Sequence, residues 1–194
     1  QMTSSVGSFV EIDFADPSKP VIEKVNFDFA SCGYALCIVD TGGSHSDLTD
    51  EYAAVRKEME SVAAYLGKSV LREVDESEFM KNIADIRSSC GDRAVLRAMH
   101  FYGDNARVEK QAAALRAGDF KTFMKYIIES GRSSYMYNQN VYSCKKAAEQ
   151  PVSLALSLSE KLLDGCGAWR VHGGGFAGTI QAFVPLNKLD EYKD

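Results

Sequence analysis

The residues whose types and spacing carry the most chemistry lie near the end of the chain, in "AWRVHGGGFAGTIQAFVP", Ala168 to Pro185. Gly173, Gly174 and Gly175 stand together and Gly178 follows three residues later. Read by spacing, Gly173 to Gly178 fits G-x-G-x-x-G, the loop that lays a pyrophosphate on a helix N-terminus. With His172 in front it fits the HGGG loop of lipases, whose backbone N–H groups take up the charge of a tetrahedral intermediate. Outside both contexts, exposed backbone N–H groups can still hold an anion as a nest.

The flanking residues exclude the first two chemistries. A dinucleotide loop opens a helix and needs an acidic residue about 20 positions on. Thr179, Ile180, Phe183 and Val184 favour a strand instead, Pro185 closes it, and little chain follows. A lipase needs a G-x-S-x-G elbow downstream of its oxyanion loop, and the sequence contains none. "GKS", Gly67 to Ser69, is no P-loop, because Val62 stands where the first glycine belongs and a helical pattern precedes it. Two readings stay open. One is a glycine-rich turn between paired strands, where glycine permits positive φ or close backbone approach. The other gives that turn a phosphate, or a neighbouring phosphate loop, to pack against. Either way, more glycines than a tight turn needs predict something pressed against bare backbone. Arg170 on the entering strand is either added charge for an anion or a solvated sheet residue.

The elements that must position this loop follow from periodicity. "FVEIDF" (9–14) and "VIEKVNFDF" (21–29) alternate as half-covered strands do, with Val25, Phe27 and Phe29 on one face and "DPSKP" turning between them. "YALCIVDT" (34–41) is a near-continuous apolar run and predicts a central strand. Leu48, Tyr52, Val55, Met59, Val62 and Leu66 then form one stripe of a long helix, with Asp47 as N-cap and Gly67 at its end. Further helices are predicted over 76–88, 92–117, 119–130 and 151–164, with Gly118, Gly131 and Gly165 as terminators. The stretch 131–144 reads as irregular loop or helix start, and 168–172 with 179–185 as a closing pair of strands. Strands, then helices, then a hairpin predict an α+β fold with a mostly antiparallel sheet packed against helices.

Composition narrows the function classes. The 194 residues are 45% hydrophobic and 25% charged with net charge −5, ordinary for a folded domain. Without a Lys/Arg-rich run, nucleic acid is not an expected partner. No apolar run nears the ~18 residues of a membrane span, and no signal peptide opens the chain, so no membrane partner is expected. Cys32, Cys37, Cys90, Cys144 and Cys166 are odd in number and form no CxxC pair, which predicts reduced, mostly buried thiols in a cytoplasmic protein. Three scattered histidines predict no metal site. The chain opens on Gln1 rather than methionine and reads as a fragment of a longer one.

Several segments together resemble the galactokinases of the GHMP kinase superfamily. Gly167-Ala168-Trp169-Arg170-Val171-His172-Gly173-Gly174-Gly175-Phe176-Ala177-Gly178-Thr179 resembles their third motif, roughly G-A-R-M/L-T-G-G-G-F-G-G-C/S, with His172 for the threonine, Ala177 for a glycine and Trp169 additional. "AVLRAMHFYGDNARV" resembles their R-x-x-H and E-N-x-R-V helix, matching at Arg97, His100, Asn105, Arg107 and Val108. "CIVDTGGSHSDLTDEYAAVRKEME" resembles a segment in which Leu48, Glu51, Tyr52 and Arg56 occupy characteristic places. "QMTSSVGSFVEIDF" resembles M-D-Q-F-x-S-x-x-G-x-x-G-x-x-x-x-I-D. The departure is at Ser134 to Ser143, where S-L-R/K-D-D/L-Y/F-x-V-S is usual and this chain has amides in place of the acidic pair.

The resemblance covers the C-terminal half of a galactokinase. It implies a ferredoxin-like GHMP kinase C-terminal domain over 31–194, with 1–30 closing the N-terminal domain. It implies ATP, Mg²⁺ and a sugar as ligands, the first two bound mainly by the absent N-terminal half, and transfer of the γ-phosphoryl to the galactose 1-hydroxyl in the intact protein. The catalytic aspartate would lie just before Gln1, leaving no catalytic residue and no kinase activity in this piece. Tyr52 would contact the sugar, and Gly173, Gly174, Gly175 and Gly178 would form the phosphate or active-site loop. A residue packed in the core is the alternative for Tyr52, which lies on the apolar stripe; a tyrosine can bury its ring and keep its hydroxyl in a site. A GHMP kinase for another sugar and a non-catalytic galactose-sensing paralogue are the alternatives for the whole.

Overall fold

The computed structural model describes residues 9–43 and 47–194. The likeness at residues 1–8 and the histidine of the segment around Tyr52 lie outside them. β1 (Phe9–Asp13) and β2 (Val21–Val25) form an antiparallel hairpin with a sheet of its own. Val25, Phe9 and the following Phe27 and Phe29 pack into an aromatic cluster with Phe120, Phe123 and Phe183. The expected second strand is therefore shorter than its apolar alternation; Phe27 and Phe29 reach the same core from a loop and a 3₁₀ turn.

β3 (Tyr34–Asp40), β4 (Ala168–Val171) and β5 (Thr179–Pro185) build an antiparallel sheet in the order β3-β5-β4. The run at 34–41 is thus an edge strand and not a central one. Cys37 and Val39 turn into the core on one face, while Leu36 and Ile38 on the other are half exposed. β5 is central, with Ile180, Ala182 and Val184 buried on one face and Phe183 on the other.

The helices are α1 (Thr49–Tyr65), α2 (Glu76–Lys81), α3 (Ile83–Cys90), α4 (Asp92–Arg116), α5 (Phe120–Ser133), α6 (Pro151–Leu163) and α7 (Leu189–Lys193). α5 and α6 cover opposite faces of the three-stranded sheet, contributing to separate clusters around Phe183 and around Ile180. α1 to α4 form a third core around Phe79, Val62 and Ile86. The fold is α+β with antiparallel sheets, as the order of patterns predicts.

Four local expectations change. α1 is N-capped by Leu48 without a side-chain bond, and Asp47 instead pairs with Lys146 at 3.5 Å. The expected 76–88 helix breaks at Asn82, whose side chain donates to the Glu78 carbonyl. Gly131 does not end its helix. A Cβ there would sit 3.0 Å from the Arg170 Cβ and 3.1 Å from the Trp169 carbonyl, so the glycine lets α5 approach β4. The first part of the stretch read as irregular loop or helix start is the tail of α5 followed by a π turn, Ser134–Asn138, that ends on left-handed Gln139 (φ 54°), while 139–144 is irregular.

Candidate functional site

The glycine loop joins two paired strands, as its β-branched flanks require, and the structure shows what presses on its backbone. Tyr52, one turn into α1, donates its hydroxyl to the Gly175 carbonyl at 2.6 Å and sets its ring edge-on to Phe176, centroids 5.3 Å apart. The Gly174 backbone lies against the same ring, where a Cβ would be 2.7 Å from Cε1. From the opposite side comes Asn140. Its carbonyl accepts from Phe176 N–H at 2.5 Å and its Nδ2 donates to the Gly174 carbonyl at 3.1 Å. A Cβ at Gly175 would fall 1.9 Å from the Asn140 carbonyl oxygen.

Gly173, Gly175 and Gly178 have φ of 72°, 83° and 86°, and Phe176 itself is left-handed at 57°. Three of the glycines thus meet a backbone demand and Gly174 meets a packing one. Among the described residues the N–H groups of Gly173, Gly174 and Gly175 donate to no backbone carbonyl. At the loop ends, Thr41 binds the Gly178 carbonyl through backbone and hydroxyl, and His172 Nδ1 meets Thr179 Oγ1 at 2.9 Å.

The stripe on α1 serves two cores. Leu48, Tyr52 and Val55 pack on Phe176 and Ala177, while Met59, Val62 and Leu66 face the helical core. Tyr52 is consequently part-buried, and burial raises its pKa above the ordinary 10.0. The phenol stays protonated at neutral pH and acts as a donor.

Beside this joint opens a cleft of ≈ 630 Å³, lined by Tyr52, Arg56, Asn138, Asn140, Gly173 and Gly174 among others. A second cleft of ≈ 610 Å³ lies on the far side of the loop, against Phe176, Ala177 and Leu154. Its lysine is engaged: Lys146 pairs with Asp47 at 3.5 Å. The first cleft brings Tyr52 and the glycine loop together, and it adds Asn138 and Asn140, whose role the sequence signalled only as an unusual pair of amides.

What holds the 138–140 turn is a buried ionic group. Arg97 is fully buried; its Nε donates to the Asn138 carbonyl at 3.0 Å and its Nη1 meets Glu58 Oε2 at 2.8 Å. Arg93 shares the same carboxylate. Burial lowers the Arg97 pKa and Glu58 opposes that shift, as a buried cation needs a partner. Farther along α4, His100 Nδ1 contacts Ser133 Oγ at 2.9 Å, and Asp104 accepts from Ser130 at 2.6 Å and Arg107 at 2.9 Å. Arg97 and His100 therefore bind elements together, Arg107 pairs within its own helix, and Asn105 and Val108 of the same pattern are exposed. Arg170 is not at the loop's mouth. It lies under the sheet, where burial lowers its pKa against the pull of Asp104.

Among the described residues no three His, Cys, Asp or Glu side chains group as metal ligands, and no helix is long and apolar enough to cross a membrane. The cysteines are free; four are half-buried rather than buried, and Cys144 is exposed.

No family model matches the chain. A galactokinase of Actinobacillus pleuropneumoniae serotype 5b (strain L20) is 26% identical over 161 residues, which are 83% of this chain and 40% of that protein. The galactokinases of Homo sapiens and Bos taurus are 36% and 35% identical over 144 residues, 74% of this chain and 34% of each relative. The chain thus spans well under half the length of these relatives. Lactococcus lactis galactokinase, solved in complex with galactose, matches with a TM-score of 0.68 over 94% of this chain and 44% of that one. At 22% identity that match shows a shared fold.

Proposed function

We propose that this chain, galactokinase-like over most of its length, is the C-terminal part of an ATP-dependent sugar kinase that phosphorylates the 1-hydroxyl of galactose. The observation that carries the reading is the joint of Tyr52, Gly173–Gly175 and Asn140 at the wall of one cleft, in a chain with galactokinase relatives. In this reading residues 31–194 form the C-terminal domain. Residues 1–30, whose described hairpin has its own sheet, close the N-terminal one.

Phosphoryl transfer asks a protein mainly to position groups and stabilise charge. The bond between the γ-phosphorus and the ADP oxygen breaks, the bond to the sugar O1 forms, and the hydroxyl proton passes to an aspartate just upstream of Gln1. Mg²⁺ neutralises charge on the phosphates when bound; it and ATP are held mainly by residues outside this chain. Within the chain, Tyr52 orients the sugar with a hydroxyl anchored on the Gly175 carbonyl. The N–H groups of Gly173, Gly174 and Gly175 face the phosphate side. The described residues carry no membrane-spanning helix, and a cytoplasmic enzyme meeting soluble sugar and ATP is the setting proposed.

The test is phosphorylation of a sugar panel by the complete gene product with ATP and Mg²⁺. Galactose-dependent ADP release with galactose 1-phosphate as product is expected. Turnover with no sugar in the panel overturns the reading. The amides Asn138, Gln139 and Asn140, in the segment where the family pattern has an acidic pair, favour a second reading in which another sugar is the better substrate.

A further inference from the structure

Asn138 and Asn140 are 7% and 5% exposed, and both line the cleft beside Tyr52. Each holds its side-chain Oδ1 buried with no hydrogen-bond partner among the described residues. A buried carbonyl oxygen without a donor costs about 1–3 kcal/mol, and native structures carry few of them. Here two stand one residue apart, on a turn clamped from both sides. Arg97 fixes the Asn138 carbonyl, and Gly174 and Phe176 fix Asn140 through its Nδ2 and its own carbonyl. The clamps leave both carboxamide oxygens unused and hold them in place.

We infer that Asn138 and Asn140 are specificity-determining residues whose free Oδ1 atoms accept hydrogen bonds from hydroxyl groups of a neutral sugar bound against Tyr52. The charge around them selects that chemistry. Arg56 in the cleft wall is paired with Glu60, which lines the same cleft, at 2.7 Å, and Arg97 beneath the turn with Glu58 at 2.8 Å, so these ion pairs leave no uncompensated charge there for a cation or an anion. A neutral donor remains, and a sugar ring supplies adjacent hydroxyls. Amides in place of an acidic pair also keep the site uncharged, so binding there is independent of pH across the neutral range. A site built to bind a particular hydroxyl rejects the analogue lacking it, because its own polar atom is then left unpaired. The inference rests on the proposed sugar-kinase reading and extends it to which part of the sugar is read.

The experiment uses the complete gene product and three variants, Asn138→Leu, Asn138→Asp and Asn140→Asp. Leucine keeps the branching and heavy-atom count of asparagine at a larger volume and removes the orphan acceptor. The cost of tighter packing therefore offsets the relief of the unpaired oxygen, and Asn138→Leu is expected to remain folded, checked by its melting temperature. The sugar KM is expected to rise about tenfold with the ATP KM unchanged. Asn138→Asp keeps the acceptors and retains most of the affinity. Asn140→Asp loses the bond to Gly174 but keeps the oxygen that the sugar would use. Galactose and its 2-, 3-, 4- and 6-deoxy analogues locate the contact: the penalty of Asn138→Leu disappears for the one analogue that lacks the hydroxyl it binds. A folded Asn138→Leu protein with unchanged sugar KM, or an equal penalty for every analogue, overturns the inference and leaves the kinase reading standing. If the unmodified protein neither binds galactose by calorimetry nor phosphorylates any sugar, both fall.

Discussion

At Gly175 a single methyl group would disturb the whole site. The position combines a φ of 83° with an Asn140 carbonyl that a Cβ would approach to 1.9 Å. The obstacle is backbone, so no rotamer relieves it. Gly175→Ala is expected to destabilise the protein by roughly 2–4 kcal/mol and to shift the Tyr52 and Asn140 contacts, read as a lower melting temperature with a raised sugar KM. A melting temperature equal to that of the parent would show that the loop lies elsewhere. Gly174→Ala meets the Tyr52 ring instead, so its effect should shrink when Tyr52 is replaced by a smaller residue, whereas that of Gly175→Ala should not. Tyr52→Phe keeps the ring packing on Phe176 and removes one donor. A loss of about 1 kcal/mol in stability and a sugar KM raised more than the ATP KM are expected; equal effects on both constants would take Tyr52 out of the sugar site. The glycines were legible as candidates because they outnumber what a strand turn needs; Tyr52 was a candidate through the resemblance alone, since by spacing it is one member of an apolar stripe. Asn140 was not, since its main contribution is a backbone carbonyl, which every residue has.

Among the elements, α4 ties the molecule together through buried charge, and charge ties respond to pH and substitution in opposite ways from apolar packing. Glu58 on α1 is the carboxylate shared by Arg93 and the fully buried Arg97. Glu58→Ala leaves Arg97 without its partner and is expected to cost about 3–5 kcal/mol; a double variant with Arg97→Met should recover much of the loss, measured by denaturant unfolding. His100 gives the pH counterpart. Burial holds its pKa below the ordinary 6.5 despite Asp104, with Arg107 and Arg170 acting in the same direction as burial. The folded ring is neutral, while an unfolded one binds a proton below its ordinary value. The contribution of the neutral ring is therefore full above pH 6.5 and is lost as pH falls toward the lower folded value. The melting temperature should drop on acidification through this window, and His100→Gln should flatten the drop; identical slopes would exclude His100 as its source. Periodicity made α1, α4, α5 and α6 legible because each buries a stripe. It misplaced Gly131, which resembles a terminator yet serves helix–strand contact, and it took β3 for a central strand. A run such as Tyr34–Thr41 shows only that its residues are apolar; whether both faces are covered depends on distant segments.

For the whole molecule, the described cores and the sheet covered by α5 and α6 predict a chain that folds around its own apolar residues. The same chain spans 40% of the Actinobacillus galactokinase and 34% of the human one, and the proposed reaction needs groups from both parts. Tyr52, Asn138, Asn140 and the glycine loop reach one wall of the cleft; the proton acceptor, the metal ligands and most of the nucleotide contacts are assigned elsewhere. Folding and catalysis should therefore separate. The 194-residue chain is expected to unfold cooperatively and to show no galactose-dependent ADP release from ATP and Mg²⁺, where the complete protein turns over. A weak rise in its melting temperature with millimolar galactose, absent in Asn138→Leu, would place part of the sugar contact on this wall alone. Turnover by the isolated chain at a rate near that of the complete protein would mean that the phosphoryl-transfer groups lie within these residues, and the division of labour proposed here would have to be redrawn around the cleft itself.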